Sequence, residues 1–195
     1  MNPTGVVAAG VVAIGILYLL LRKKGGSDQS LATGRDVSEF SKIWVVGDSI
    51  AQGLAAQVPS ELRGDSITHS GAQMLTVQHE IYANWQNLKL NSNDLILINV
   101  GTNDVYGNPT MEVMVERVRA FWQNLEMLEP DAGKLWALPP AAASAKYDKL
   151  RLAILQEGIP YVELADPAGY LAPDGIHMSP AGYKAYIDQI LTASL

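Results

Sequence analysis

Val45-Val46-Gly47-Asp48-Ser49-Ile50 is the stretch that decides the architecture. An apolar run beginning at Lys42 reads as a buried strand and breaks at Gly47. From Ile50 to Val58 the composition is that of a short helix, which Pro59 stops. A serine on such a strand-to-helix turn projects its hydroxyl at the carboxyl end of a sheet, the edge where open α/β folds place their ligands. A hydroxyl alone is a weak nucleophile, so Ser49 carries chemistry only if a base and an oxyanion site converge on it.

The same alternation continues along the chain. Asp65–His69, Leu95–Val100, Lys134–Leu138 and Tyr161–Leu164 read as further strands, the second of these a short apolar run with the β-branched residues of a strand buried on both faces. Between them, Met74–Leu88 and Ala141–Glu157 have helical composition, the latter with Gly158 at its carboxyl cap. Met111, Met114, Val115, Val118, Phe121, Trp122, Leu125 and Leu128 recur at helical spacing after Pro109. Ser179-Pro180 supplies the cap and first-turn proline of a last helix towards Leu191. Strands alternating with helices predict a parallel sheet covered on both faces.

In a parallel sheet the carboxyl ends of all strands share one edge, so Gly47-Asp48-Ser49, Ser70-Gly71, Gly101-Thr102-Asn103-Asp104 and the loop Asp174–His177 should meet there. Ser49 is then placed to attack an acyl carbonyl. His177 would take its proton and return it to the leaving group, and Asp174, three residues earlier, would fix the imidazole tautomer. The backbone N–H groups of Ser49 and Gly71 and the amide of Asn103 are the candidate oxyanion donors, with Gly71 letting the backbone approach the substrate. Asp48 and Asp104 read as caps of backbone N–H groups in their own turns. His69 and His79 read as structural and solvent-facing respectively, and three dispersed histidines give no metal site. The four tryptophans read as core. Tyr170 and Leu171, in the Pro/Gly-rich loop Ala165–Pro173, are candidates for one wall of an acyl pocket.

These blocks resemble the SGNH (GDSL-type) serine hydrolases over most of Ile43–Leu195. Gly47-Asp48-Ser49-Ile50 is similar to the first block, Gly71 to the second, Gly101-Thr102-Asn103-Asp104 to the third and Asp174-x-x-His177 to the fifth. Ile50 stands where the family name has leucine, and around Gly71 only Ser70 accompanies the glycine. The resemblance implies a flavodoxin-like three-layer α/β/α fold with a five-stranded parallel sheet of order 2-1-3-4-5 and no cofactor. It implies hydrolysis of carboxylic esters or thioesters, with Ser49, Asp174 and His177 as triad and Ser49, Gly71 and Asn103 as oxyanion donors. The expected activity is that of an esterase for small acyl groups, including O-acetylated cell-envelope glycan. The alternatives are a lysophospholipase or thioesterase, and a catalytically silent protein of the same fold.

The formal net charge is −6, and from Phe40 onward ten Lys/Arg face seventeen Asp/Glu. That balance argues against nucleic acid, whose phosphates need a basic face. Without cysteine, disulfides and thiolate catalysis are excluded. Residues 1–24 read as a single-pass membrane anchor: Gly5–Leu21 is uncharged and Arg22-Lys23-Lys24 closes it. A helix from Thr4 to Leu21 spans roughly 27 Å, just short of a ~30 Å hydrocarbon core, and the basic side chains can cover the deficit by snorkelling. A cleaved signal peptide, the main rival, would carry its charge before the apolar run. The positive-inside rule places the domain on the cytoplasmic side; a cell-envelope orientation or a virion membrane stays open. Gly5, Ala9 and Ala13 form a small-residue face suited to helix–helix association. Residues 25–39 read as a flexible linker and 40–195 as the hydrolase domain.

Overall fold

The computed structural model describes residues 36–140 and 145–193. Five strands, β1 (Lys42–Gly47), β2 (Arg63–Thr68), β3 (Asp94–Asn99), β4 (Gly133–Ala137) and β5 (Tyr161–Val162), form one sheet of order β2-β1-β3-β4-β5 in which every pairing is parallel. Its helices are α1 (Ser49–Gln57), α2 (Met74–Asn84), α3 (Thr102–Tyr106), α4 (Met111–Leu128), α5 (Asp148–Gln156) and α6 (Pro180–Thr192). The order matches the one the resemblance implies.

β3 shows how the layers arise. All six of its residues are buried, and alternation along the strand sends Leu95 and Leu97 to one face and Ile96 and Ile98 to the other. Leu95 and Leu97 meet Ile50, Ala51 and Leu54 of α1 and Tyr186, Ile187 and Ile190 of α6. Ile96 and Ile98 meet Met74, Val77 and Ile81 of α2, Met114, Val118, Phe121 and Leu125 of α4, and Leu150, Ala153 and Ile154 of α5. The expected α4 stripe therefore packs as a unit, with Met111, Trp122 and Leu128 at its half-buried margins. Helix starts follow their caps: Thr110 accepts from the Val113 N–H and Ser179 from the Gly182 N–H, with Pro180 in the first turn.

Three differences from the sequence reading have local causes. β5 ends at Val162 rather than Leu164, because Gln189 of α6 donates to the Glu163 carbonyl and accepts from the Ala165 N–H, drawing that backbone away from the sheet. The helix expected from Ala141 begins, within the described residues, as a 3-10 turn at Ala145–Tyr147 that puts Tyr147 in the core before α5 starts. It ends as expected, in a Schellman arrangement in which the Gly158 N–H donates to Leu155 and the Ile159 N–H to Ile154. α3 is a five-residue helix too short to leave an apolar periodicity.

The amino-terminal anchor, its Gly5/Ala9/Ala13 face and its basic flank lie outside the described residues. Among the described residues no helix is long and apolar enough to cross a membrane. The stretch read as linker ends in a 3-10 turn, Val37–Glu39, and Val37 and Phe40 are buried against the α1/α6 side of the core, so the folded unit takes in the last residues assigned to the linker.

Candidate active site

Everything at the site follows from how β1 ends. The last residues of three neighbouring strands are in register, Gly47 pairing with Thr68 of β2 and Asn99 of β3, so the chain leaves all three at one edge. A Cβ on Gly47 would lie 1.8 Å from the Asn99 carbonyl oxygen, so only glycine lets β1 and β3 approach this closely before the turn. Asp48 then donates its N–H to the Asn99 carbonyl at 3.1 Å, and its Oδ1 accepts the Ile50 N–H at 2.9 Å. That cap starts α1 with Ser49 as its first residue. The cap expected of Asp48 is thus present. Its cost is burial of a carboxyl, which raises the Asp48 pKa to about 6.

His177 arrives on a loop that closes on itself. Leu171 and Met178 form an isolated antiparallel bridge, with the Ala172 N–H donating to the His177 carbonyl and the Ser179 N–H to the Tyr170 carbonyl, both at 2.8 Å. Tyr170 packs half-buried against the α1/α6 side of the core and Leu171 is taken up in the bridge. The two residues expected to wall a pocket therefore form the base of the loop. At its tip, Asp174 Oδ1 accepts the N–H groups of Ile176 and His177, each at 2.9 Å, and Oδ2 meets His177 Nδ1 at 2.7 Å. The hydrogen bond from His177, with those from the two backbone N–H groups, holds the Asp174 carboxyl down to about 2. An ionised Asp174 only accepts, so Nδ1 carries the proton and Nε2 presents its lone pair. Nε2 lies 2.8 Å from Ser49 Oγ, and the serine hydroxyl is the donor. Ser49, His177 and Asp174 thus form one unbroken hydrogen-bonded path, with His177 and Asp174 still reachable by solvent at the cleft rim.

The Gly71 turn and α3 border the same edge. The His69 N–H donates to the Gly47 carbonyl and the Ala72 N–H to the His69 carbonyl, which makes His69–Ala72 a β-turn tied to the end of β1. Gly71 holds its third position with φ +76°, the left-handed value a type II turn requires there. A Cβ at this position would meet no protein atom within 4 Å, so the turn geometry, rather than crowding by the protein, asks for glycine. Asn103 donates one amide hydrogen to the Ala72 carbonyl at 2.9 Å, which orients the amide and leaves its second hydrogen for a ligand.

Asp104 does more than the sequence reading expects. Besides the backbone N–H of its own turn, its Oδ2 accepts the Met74 N–H at the start of α2, thirty positions earlier, and its Oδ1 accepts from Arg117 of α4 at 3.0 Å. Asp104 thereby fixes the Gly71 turn against α3, and burial raises its pKa. Nothing in the local sequence signals that partner. His69 pairs with Glu80 at 3.1 Å away from the triad, and His79 is exposed. Among the described residues no three His, Asp or Glu side chains gather as metal ligands.

Comparison with known proteins agrees with the fold. The chain's fold is similar to that of an acetyl esterase crystallised with acetate (21% identity, 78% of this chain and 95% of that one, TM-score 0.58). It is also similar to a carbohydrate esterase family 3 protein from Talaromyces cellulolyticus (21% identity, 78% and 95%, TM-score 0.56). A third likeness is to the catalytic domain of peptidoglycan O-acetyltransferase A from Streptococcus pneumoniae (17% identity, 79% and 92%, TM-score 0.55). A search of curated protein sequences finds no match. The GDSL-like lipase/acylhydrolase family matches residues 45–185, and the chain belongs to that family and is a carboxylic ester hydrolase.

Proposed function

We propose that the protein is a membrane-anchored serine esterase that removes small acyl groups, foremost acetyl groups on cell-envelope glycan. The observation that carries the catalytic reading is the path from Ser49 Oγ through His177 to Asp174, with links of 2.8 and 2.7 Å. Ser49 attacks the ester carbonyl as His177 Nε2 takes the hydroxyl proton. Asp174 stabilises the imidazolium without accepting its proton. The tetrahedral oxyanion is met by the N–H groups of Ser49 and Gly71 and the free amide hydrogen of Asn103. His177 then protonates the departing alcohol oxygen. Water, deprotonated by the same nitrogen, releases the acyl group and restores Ser49.

Two considerations favour glycan. The proteins of similar fold include ones named as an acetyl esterase, a carbohydrate esterase and a peptidoglycan O-acetyltransferase. The polarity of the sheet adds a second. β1 begins at Lys42 and ends beside Ser49, six residues that span roughly 20 Å. The chain enters the domain at the pole opposite Ser49, so an amino-terminal anchor on the envelope side of a membrane leaves the site free to meet envelope material.

The test is fluorophosphonate labelling of the full-length chain, followed by turnover on acetyl esters, long-chain acyl esters, lysophospholipid and O-acetylated glycan. Stoichiometric modification at Ser49, absent in Ser49→Ala and His177→Ala, with acetyl substrates turned over fastest, is the expected result. Well-folded protein that resists labelling sinks the catalytic reading. A strong preference for long-chain acyl esters or lysophospholipid sinks the acetyl assignment alone.

A further inference from the structure

We infer that the cavity between α3 and the start of α5 is a subsite for an anionic group, a carboxylate or phosphate, on the alcohol half of the ester. The inference rests on the esterase reading and adds to it the charge of the substrate.

The cavity holds about 200 Å³ and is lined by Val105, Tyr106, Asn108, Pro109, Lys146 and Lys149 among others. That volume is smaller than the ~300–1,000 Å³ of a site for a whole drug-sized ligand and suits one substituent. Its position ties it to the chemistry. Tyr106 lies three residues beyond Asn103 on α3, a spacing that sets two side chains on adjoining parts of a helix surface, roughly 5–6 Å apart at Cβ. Tyr147, buried beside Tyr106, is within electrostatic reach of Asp48, the neighbour of Ser49. A group entering the cavity therefore belongs to a substrate whose ester lies at Asn103.

Its charge is opposite to that of the protein. The chain carries a net −6, yet among the described residues two ammonium groups line this cavity and no Asp or Glu does. Lys149 is held in place by the Asn108 side-chain oxygen at 3.0 Å and the Pro109 carbonyl at 2.7 Å, which commits two of its three N–H donors to neutral acceptors and leaves the third for a ligand. Lys146 sits 3.3 Å above the centroid of the Tyr106 ring, a ring that is 47% exposed. The nearest acid in sequence, Asp148, faces Arg151 at 3.7 Å. The exposed part of Tyr106 not covered by Lys146, beside the fixed Lys149 ammonium, suits a sugar ring or polyol bearing one anion: the ring lies against Tyr106 and the anion reaches Lys149.

Matched acetyl esters test this. One pair is O-acetylated N-acetylglucosamine and its analogue carrying a lactyl carboxylate; the other is acetylglycerol and acetylglycerol phosphate. The full-length protein should show kcat/KM about tenfold or more higher for at least one anionic ester than for its neutral match, the size expected of a charge-assisted hydrogen bond. Preference in the first pair identifies a carboxylated sugar, and preference in the second a glycerophosphate. Lys149→Gln and Lys146→Gln should each lower the anionic-to-neutral ratio about tenfold, Lys146→Glu should invert it, and added salt should erode it. Comparable melting temperatures for the variants separate lost recognition from lost folding. A ratio near one in the parent protein, or one unmoved in both glutamine variants, overturns the subsite while leaving the esterase reading intact. No Ser49-dependent hydrolysis of any of the four esters overturns both.

Discussion

Replacing Asp48 by asparagine measures what it costs to bury a charge beside the nucleophile. The side chain is fully buried; Oδ1 caps α1 through the Ile50 N–H, and the Ala51 N–H and the Thr102 hydroxyl are the other polar groups beside the carboxyl. Burial raises the carboxyl from its ordinary 3.8 to about 6 in the folded protein. A group whose folded pKa is raised binds its proton more tightly when folded. Its favourable contribution is complete below pH 3.8 and is lost as the pH climbs through about 6. Two units at about 1.4 kcal/mol each put the penalty near 3 kcal/mol at pH 8. Asparagine keeps an oxygen for the Ile50 N–H at nearly the same shape but forfeits the attraction between an anion and a helix start, about 0.3–1 kcal/mol. The expected net is a variant about 2 kcal/mol more stable than the parent at pH 8, with the gain vanishing or reversing by about pH 4. Urea unfolding of both proteins at three pH values, read as midpoints with an unchanged slope, gives the difference directly. A variant no more stable at pH 8, or a difference that does not change with pH, refutes the reasoning.

Three further perturbations address separate parts of the site. Asn103→Ala should lower kcat by roughly 10²- to 10³-fold with KM little changed, because its free amide hydrogen acts on charge that develops only in the transition state; steady-state kinetics on an acetyl ester decide, and an unchanged kcat removes Asn103 from the oxyanion site. Asp174→Asn should lower kcat by roughly 10²- to 10⁴-fold, since an amide NH₂ facing Nδ1 favours the wrong tautomer. Asp174 in the parent titrates near 2, its folded pKa depressed, so its contribution to stability is present above 3.8 and is lost only as the pH falls through about 2. The acid limb of a pH–rate profile, when it lies above about pH 4, therefore belongs to another group, and a limb there that disappears in Asp174→Asn contradicts that. Tyr186→Phe should cost about 1–2 kcal/mol, seen as a lower melting temperature, because the hydroxyl of this buried residue serves the carbonyls of Leu138 and Val162 at 3.0 and 2.8 Å.

The parts of this protein visible in its sequence are those set by short-range pattern and by topology. β3 is legible because a strand buried on both faces has nowhere to put a polar residue, and α4 because its apolar stripe repeats with the helix. The meeting of Ser49, Gly71, Asn103 and His177 at one edge is legible because parallel strands all end on the same side. What stayed hidden depends on partners distant in sequence. The early end of β5 is decided by Gln189, 27 residues past Val162, and the role of Asp104 by Met74 and Arg117. At Gly71 the sequence did not show a second reason for glycine, the left-handed φ of +76° that its turn requires.

The loop from Tyr170 to Ser179 is knotted by its own main chain and rooted in the core, yet within this site it meets the nucleophile's side chain through a single contact, His177 to Ser49. Base and carboxylate accordingly travel as one pre-assembled cartridge, and the hydroxyl belongs to the rigid chassis of the sheet. Ile176 and Met178, on either side of the base, are seated in the α1/α6 core, so loosened packing there moves the imidazole off the hydroxyl while every strand can stay paired. Activity is then expected to fall before the sheet melts, and to return on cooling without refolding.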